Sequence, residues 1–176
     1  MDETGFFMHP VVRRTWGLCG QTPVLRHRTR HHRKISAIGG ISISPHRRRL
    51  GWYLHFHRDE AIRQEQVIAF LRHLLAHLRG PVIVVWDRLG AHRGAQVRAY
   101  AAGQPRLRLE TLPAYAPELN PNEYGWSHLK YSTLANFCPH DLDELERSVF
   151  VAAVGVQSQQ ALLRSFVHAT ELPIRL

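Results

Sequence analysis

Acidic side chains are scarce in this chain: 14 Asp and Glu stand against 23 Lys and Arg, a formal charge of +9 with the histidines neutral. That imbalance fits a polyanionic partner, because clustered arginines gain by releasing counterions from phosphate backbones. A solvated basic surface is the plain alternative. Cysteine is scarcer still, with Cys19 and Cys138 alone and no metal-ligand spacing around either. A disulfide framework is thereby disfavoured, and a reducing compartment fits. No apolar run approaches membrane-spanning length, and Met1-Asp2-Glu3 lacks the basic-then-apolar pattern of a secretory leader. A cytoplasmic location is therefore expected, nucleoid-associated if the chain binds DNA, and no membrane partner. Internal repeats and long linkers are also missing. The 176 residues fit one domain, and a 44% hydrophobic fraction argues against wholesale disorder.

The charge is unevenly placed. Before Asp59 there are eleven Arg and Lys residues and only two acids, Asp2 and Glu3. The densest run holds Arg26, Arg28, Arg30, Arg33 and Lys34, with His27, His31 and His32 between them; Arg47, Arg48 and Arg49 form a second cluster. Asp141, Asp143, Glu144 and Glu146 make the C-terminal part locally acidic. Such a division reads as a docking face more than as uniform solubilisation.

Thr4 to Met8 reads as a short strand, and Thr15-Trp16-Gly17 with Gly20-Gln21-Thr22-Pro23 as hairpin turns. Lys34 to Ile43 alternates apolar with small polar residues, as a half-buried strand does, and Leu50 to Phe56 is its expected partner. From Glu60 to Leu78 the pattern turns helical, with Val67, Leu71, Leu74 and Leu78 on one face. Val82 to Trp86 is a continuous apolar run, which predicts a central strand covered on both faces. A short helix over 95–102 and a strand over Leu107–Leu112 follow. Asn120 caps the next helix, Pro121 suits its first position and Glu123 its third. Two amphipathic helices complete the chain, and the order of elements predicts an α/β domain with a mixed sheet.

Three acids stand out by position. Asp2 sits beside the first strand, Asp87 ends the most apolar strand, and Glu123 lies in the first turn of a helix after the next strand. Working residues of open α/β sheets gather outside the carboxyl ends of strands and at adjoining helix starts. Carboxylates gathered there repel one another unless a cation shares the site. Hard oxygen ligands select Mg²⁺ or Mn²⁺, and two such ions about 4 Å apart suit an in-line phosphoryl displacement. Each acid also has a bland reading: Glu123 as a capping-box member, Asp87 as a turn cap, Asp2 as a solvated terminal acid. Spacing alone leaves these open.

The surrounding residues carry a resemblance. Val82-Ile83-Val84-Val85-Trp86-Asp87-Arg88-Leu89-Gly90-Ala91-His92 resembles the second-aspartate block of the mariner-like transposase superfamily. Residues 112–130, LPAYAPELNPNEYGWSHLK, look like its third-acid block. Asp2-Glu3-Thr4-Gly5-Phe6, with Arg14-Thr15-Trp16 and Gly20-Gln21-Thr22-Pro23, is similar to the first-aspartate region of its bacterial branch, the insertion-sequence 630 family. Asp87 and Glu123 are separated by 35 residues (123 − 87 − 1), close to what that superfamily shows. The resemblance implies a ribonuclease H-like mixed sheet flanked by helices, with Asp2, Asp87 and Glu123 as catalytic residues that ligate Mg²⁺ or Mn²⁺, two ions in all. It implies hydrolysis at transposon ends to expose a 3′ hydroxyl, which then attacks target DNA. The implied partners are double-stranded DNA, both transposon ends and target, and a second copy of the chain in a homodimeric transpososome.

The pattern departs from the family at the start. The apolar residues expected before Asp2 are missing, so the first strand is shortened, and no upstream helix-turn-helix precedes it. The chain is thus expected to be a single catalytic domain over 1–176, either an N-terminally shortened product or a catalytic half-gene whose DNA-recognition half is encoded separately. An inactive remnant that binds DNA without cutting and another ribonuclease H-like nuclease are the alternative readings. Among secondary positions, His92 could contact a phosphate, orient Asp87 or be a plain turn histidine. Lys130 shares roughly the face of Glu123 and could meet phosphate or merely be solvated. With Arg26, Arg28, Arg30, Arg33 and Lys34, these two make up the candidate DNA-binding set. Trp126 reads as core, and His55 with His57 lacks a third ligand.

Overall fold

The computed structural model describes residues 1–26, 33–44, 49–170 and 172–174. Three antiparallel strands come first in space: β1 (Asp2–Phe7), β2 (Lys34–Ile43) and β3 (Leu50–Arg58), in the order β1-β2-β3. A parallel pair, β4 (Val82–Trp86) and β5 (Leu107–Thr111), follows. The backbone nitrogen of Met1 donates to the Val85 carbonyl across 2.7 Å, which sets the start of β1 against β4. The helices are α1 (Gln64–His77), α2 (Ala95–Ala102), α3 (Pro121–His128), α4 (Leu142–Gln157) and α5 (Gln160–His168). A 3₁₀ turn at Pro117–Leu119 precedes α3, and a wide π turn at Leu129–Thr133 follows it.

Two apolar layers cover the strands. Phe6, Ile35, Ala37, Leu50 and Trp52 pack with Trp126, Leu129, Val149, Leu163 and Phe166 of the C-terminal helices. Ile38, Val82, Val84 and Trp86 pack with Val67, Phe70 and Leu71 of α1 and Val97 of α2. Val67, Phe70 and Leu71 are wholly buried, and full burial of such a side chain contributes roughly 1.5–3 kcal/mol. The period-four and period-three spacing on α1 therefore marks the face it buries. Helix α1 starts at Gln64 rather than Glu60, because Asp59 adopts a left-handed φ of 52° and Gln66 Oε1 accepts from the Arg63 N–H across 3.0 Å.

Four expectations need correction. Strand β2 is not half-buried: Ile35 to Gly40 are all buried, because Ile35 and Ala37 join one apolar layer and Ile38 the other. Among the described residues, 12–26 contain no hairpin, only a turn in which Gln21 N–H donates to Leu18 O across 2.9 Å. A turn residue cannot make a hairpin without flanking segments that pair. Strand β4 is not covered on both faces: Val82, Val84 and Trp86 are buried, whereas Ile83 is 63% and Val85 42% exposed. Helices α1 and α2 supply one cover, and the described residues bring no second cover to Ile83 and Val85. The acidic C-terminal stretch is not a free docking face. Asp141 caps α4 by accepting from Glu144 N–H, Glu144 accepts in return from His140 N–H, and Asp143 and Glu146 pair with Arg58. No helix among the described residues is long and apolar enough to cross a membrane.

Candidate functional site

Strand alternation sorts the first residues of the chain onto two sides of the sheet. Asp2, Thr4 and Phe6 face α3, and Glu3 faces the turn after β4. Trp126, 2% exposed on α3, donates its indole N–H to Asp2 Oδ2 across 3.0 Å and packs edge-on against Phe6. Lys130 Nζ donates to Thr4 Oγ1 across 2.6 Å and lies 5.6 Å from the Phe6 ring centre. The close approach of α3 depends on two glycines. A Cβ on Gly39, which pairs with Asp2 in the β1–β2 register, would fall 2.7 Å from Trp126; one on Gly125 would fall 2.8 Å from Trp52.

Glu123 sits where the sequence places it, in the first turn of α3, and is exposed. It is not a capping-box member. Asn120 caps through its own side chain, which accepts from Asn122 N–H across 3.2 Å, and the Asn120 N–H is spent on Pro117 O. Asn122 is itself buried and accepts from the Trp52 indole across 3.1 Å. The segment 120–126 is thus bolted to the core on one side, while the Glu123 carboxylate stays outside.

Asp2 is 6% exposed. Burial first, then the charges of Glu123 and Glu3, push its carboxyl up to about 7. The charges of Asp2 and Glu123 both bear on Lys130, whose ammonium burial pulls below its usual range. Asp2, Glu123 and Lys130 therefore share one electrostatic neighbourhood. Asp87 follows β4 directly and is half-buried; its Oδ1 accepts from Leu89 N–H across 2.9 Å, the turn-capping bond foreseen for it.

His92 is not at the surface. It is 2% exposed, stacked on Trp86 with centroids 4.4 Å and planes 3° apart. Its Nδ1 lies 2.8 Å from Asp87 Oδ1 and its Nε2 2.6 Å from Glu3 Oε1. Burial opposes charge on this ring, yet the Glu3 and Asp87 contacts prevail and raise its pKa. A phosphate contact by His92 is therefore replaced by an internal bridge. Glu3, Asp87 and His92 also place one possible ligand atom each within 4.8 Å of the others, a grouping the sequence reading missed. The only hint of it in sequence is that Glu3 follows Asp2 on the opposite face of the same strand.

The basic residues are only partly accounted for. Arg26 is exposed, and Arg33 and the Lys34 backbone are tied to Asp59 at 2.9 and 3.1 Å. Arg28, Arg30, Arg47 and Arg48 lie outside the described residues. His55 and His57 do share a side, and His55 meets His73 of α1 with ring centres 4.5 Å apart.

A family model described as DDE superfamily endonuclease matches residues 1–146. No curated protein matches the chain. Among solved structures, the Mos1 mariner paired-end complex with Mn is similar at a TM-score of 0.65 and 17% identity, over 95% of this chain and 50% of that one. The Mos1 strand transfer complex is similar at 0.61 and 19%, over 94% and 49%. The catalytic domain of Mos1 mariner transposase is similar at 0.52 and 13%, over 97% and 81%. The chain thus spans about half the length of the first two. These likenesses establish the ribonuclease H-like fold expected from the sequence, and the match across residues 1–146 means that the chain belongs to the DDE superfamily endonucleases.

Proposed function

We propose that the chain is the catalytic domain of a cut-and-paste DNA transposase, with Asp2, Asp87 and Glu123 as ligands of divalent metal and two Mg²⁺ or Mn²⁺ ions in the working site. The observation that supports this most is the placement of the three acids in a DDE endonuclease: one on β1, one just past β4, one in the first turn of α3. The donor set fits a hard cation. All three donors are carboxylates, and the Asp2 carboxyl is pushed up to about 7 by burial and by Glu123 and Glu3, a penalty a bound cation would reverse. Mos1 complexes have been solved with Mn and with Mg. When bound, such ions stabilise the attacking and leaving oxygens of an in-line displacement.

The remaining work belongs to the side chains. Trp126 fixes the Asp2 carboxylate from inside the core. Glu123, exposed in the first turn of α3, is open to a substrate from solvent. Lys130, held by Thr4 beside both acids, supplies a positive charge to a phosphate. Hydrolysis at a transposon end would break a phosphorus–O3′ bond, add a water hydroxyl to phosphorus and leave a 3′ hydroxyl. That hydroxyl would then attack a target phosphodiester and displace its 3′ oxygen. The partners on this reading are transposon-end and target DNA and a second copy of the chain. The exposed Arg26, with Arg28, Arg30, Arg33 and Lys34, is the proposed backbone-binding run, and the protein would be nucleoid-associated in the cytoplasm.

The test is nicking of supercoiled plasmid in millimolar Mn²⁺ by wild type, Asp87→Asn and Glu123→Gln. Cleavage by wild type alone supports the reading. Retention of DNA without any nicking points to the non-cutting remnant, and cleavage that survives both substitutions rejects the site.

A further inference from the structure

Glu3 is joined to the site by the shortest contact His92 makes. His92 Nε2 lies 2.6 Å from Glu3 Oε1 on β1, and its Nδ1 lies 2.8 Å from Asp87 Oδ1 beyond β4. The ring has no freedom to serve elsewhere: it is 2% exposed and stacked flat on Trp86, itself 2% exposed. At the other end of the bridge, Asp87 Oδ1 accepts the Leu89 N–H at 2.9 Å and lies 2.8 Å from His92 Nδ1, whose hydrogen bond goes to the Asp87 main-chain carbonyl at 3.3 Å. Side chain and main chain of Asp87 are thus both held against the ring and the turn that follows it.

We infer that His92 is a positioning residue anchored by Glu3, tying β1 to the end of β4 and holding Asp87 in place for a metal. The inference rests on the reading of Asp87 as a metal ligand. It explains why the acid next to Asp2 faces away from it: alternation along β1 gives Asp2 to the α3 side and Glu3 to the strut. The Met1–Val85 hydrogen bond joins the same two strands, and His92 adds a side-chain link that ends on a ligand carboxylate. Partners that orient a metal's own ligands typically change its affinity about 10–100-fold when removed. The competing arrangement is a metal held directly by Glu3, Asp87 and His92, whose ligand atoms lie within 4.8 Å of one another. That would require His92 to give up one of its two carboxylate contacts.

The experiment is a Mn²⁺ titration followed by electron paramagnetic resonance, on the full chain, for wild type and for D87N, H92A, H92N, E3A and the H92A/E3A pair. Thermal unfolding in metal-free buffer checks that each is folded. An Asn amide nitrogen sits as many bonds from Cα as Nδ1, so H92N keeps a donor for Asp87 while losing reach to Glu3. The expected pattern is a loss of Mn²⁺ affinity of about tenfold or more in H92A, smaller and similar losses in H92N and E3A, each of which keeps a donor for Asp87 but lacks the Glu3 anchor, and a double variant little worse than H92A. Should H92A fail to fold, E3A and H92N carry the comparison. Unchanged affinity in H92A or E3A overturns the inference. So does loss in H92A and H92N alike without rescue, which identifies His92 as a ligand in its own right. A wild type that binds no Mn²⁺ removes the metal reading of Asp87 itself, an outcome distinct from a strut that does not matter.

Discussion

Trp126 and Asp2 are joined by a buried hydrogen bond: the indole N–H of a core residue ends on the carboxylate proposed as the first metal ligand, 3.0 Å away. Packing and chemistry are therefore coupled in one side chain. Trp126→Phe keeps most of the ring volume between Phe6 and Trp52 but leaves Asp2 Oδ2 without its donor. Loss of a partner from a buried polar group costs about 1–3 kcal/mol. Urea denaturation of the variant against wild type is expected to show a loss in that range, with Mn²⁺ affinity lowered as well.

The approach of α3 to the sheet gives a second prediction. Gly39→Ala puts a methyl 2.7 Å from both Trp126 and Leu54, neither of which can yield without displacing the core. Overpacking of this kind costs about 1–3 kcal/mol. Denaturation midpoints of Gly39→Ala and Gly40→Ala form the control pair, since a Cβ on Gly40 meets nothing closer than 3.6 Å.

The buried acid makes a third, in pH. The folded protein holds the Asp2 proton to about 7, against 3.8 for the unfolded reference, so between those values the folded state binds more protons. Asp2 therefore contributes stability that is fully present below pH 3.8 and is lost as pH rises toward 7. In metal-free buffer the difference in Tm between wild type and Asp2→Asn should move against the wild type across this window. Mn²⁺ should stabilise the wild type increasingly above it, because a ligand carboxylate must be ionised. A difference that stays flat from pH 4 to pH 8 would contradict the burial argument.

Much of this was legible in the sequence because it is local. The Asn120–Glu123 helix start and the Val67, Leu71 and Leu74 stripe of α1 follow from short-range rules and occur as read, whereas β2 forms where expected but is buried from Ile35 to Gly40 instead of alternately. Where the reading failed, the deciding partner was distant. Nothing near Val82–Trp86 in sequence tells that only one face of β4 is covered. Nothing near His92 tells that Glu3, 89 residues away, occupies its outer nitrogen. Trp126 was read correctly as core, but its donor role required knowing that Asp2 lies 124 residues away in sequence and 3.0 Å away in space. The hairpin expected around Thr15–Pro23 rested on turn residues alone, and turn residues specify a bend rather than a pairing.

The measurement that bears most directly on the central claim is calorimetric titration of Mn²⁺ into wild type, Asp2→Asn, Asp87→Asn and Glu123→Gln, each first shown to be folded. The account expects binding by the wild type that is weakened in all three variants, since carboxylates from β1, the end of β4 and α3 share the metal. Binding that is indifferent to Asp2→Asn and Glu123→Gln but abolished by Asp87→Asn would contradict it, and would place the metal with Glu3 and His92 on the other side of β1.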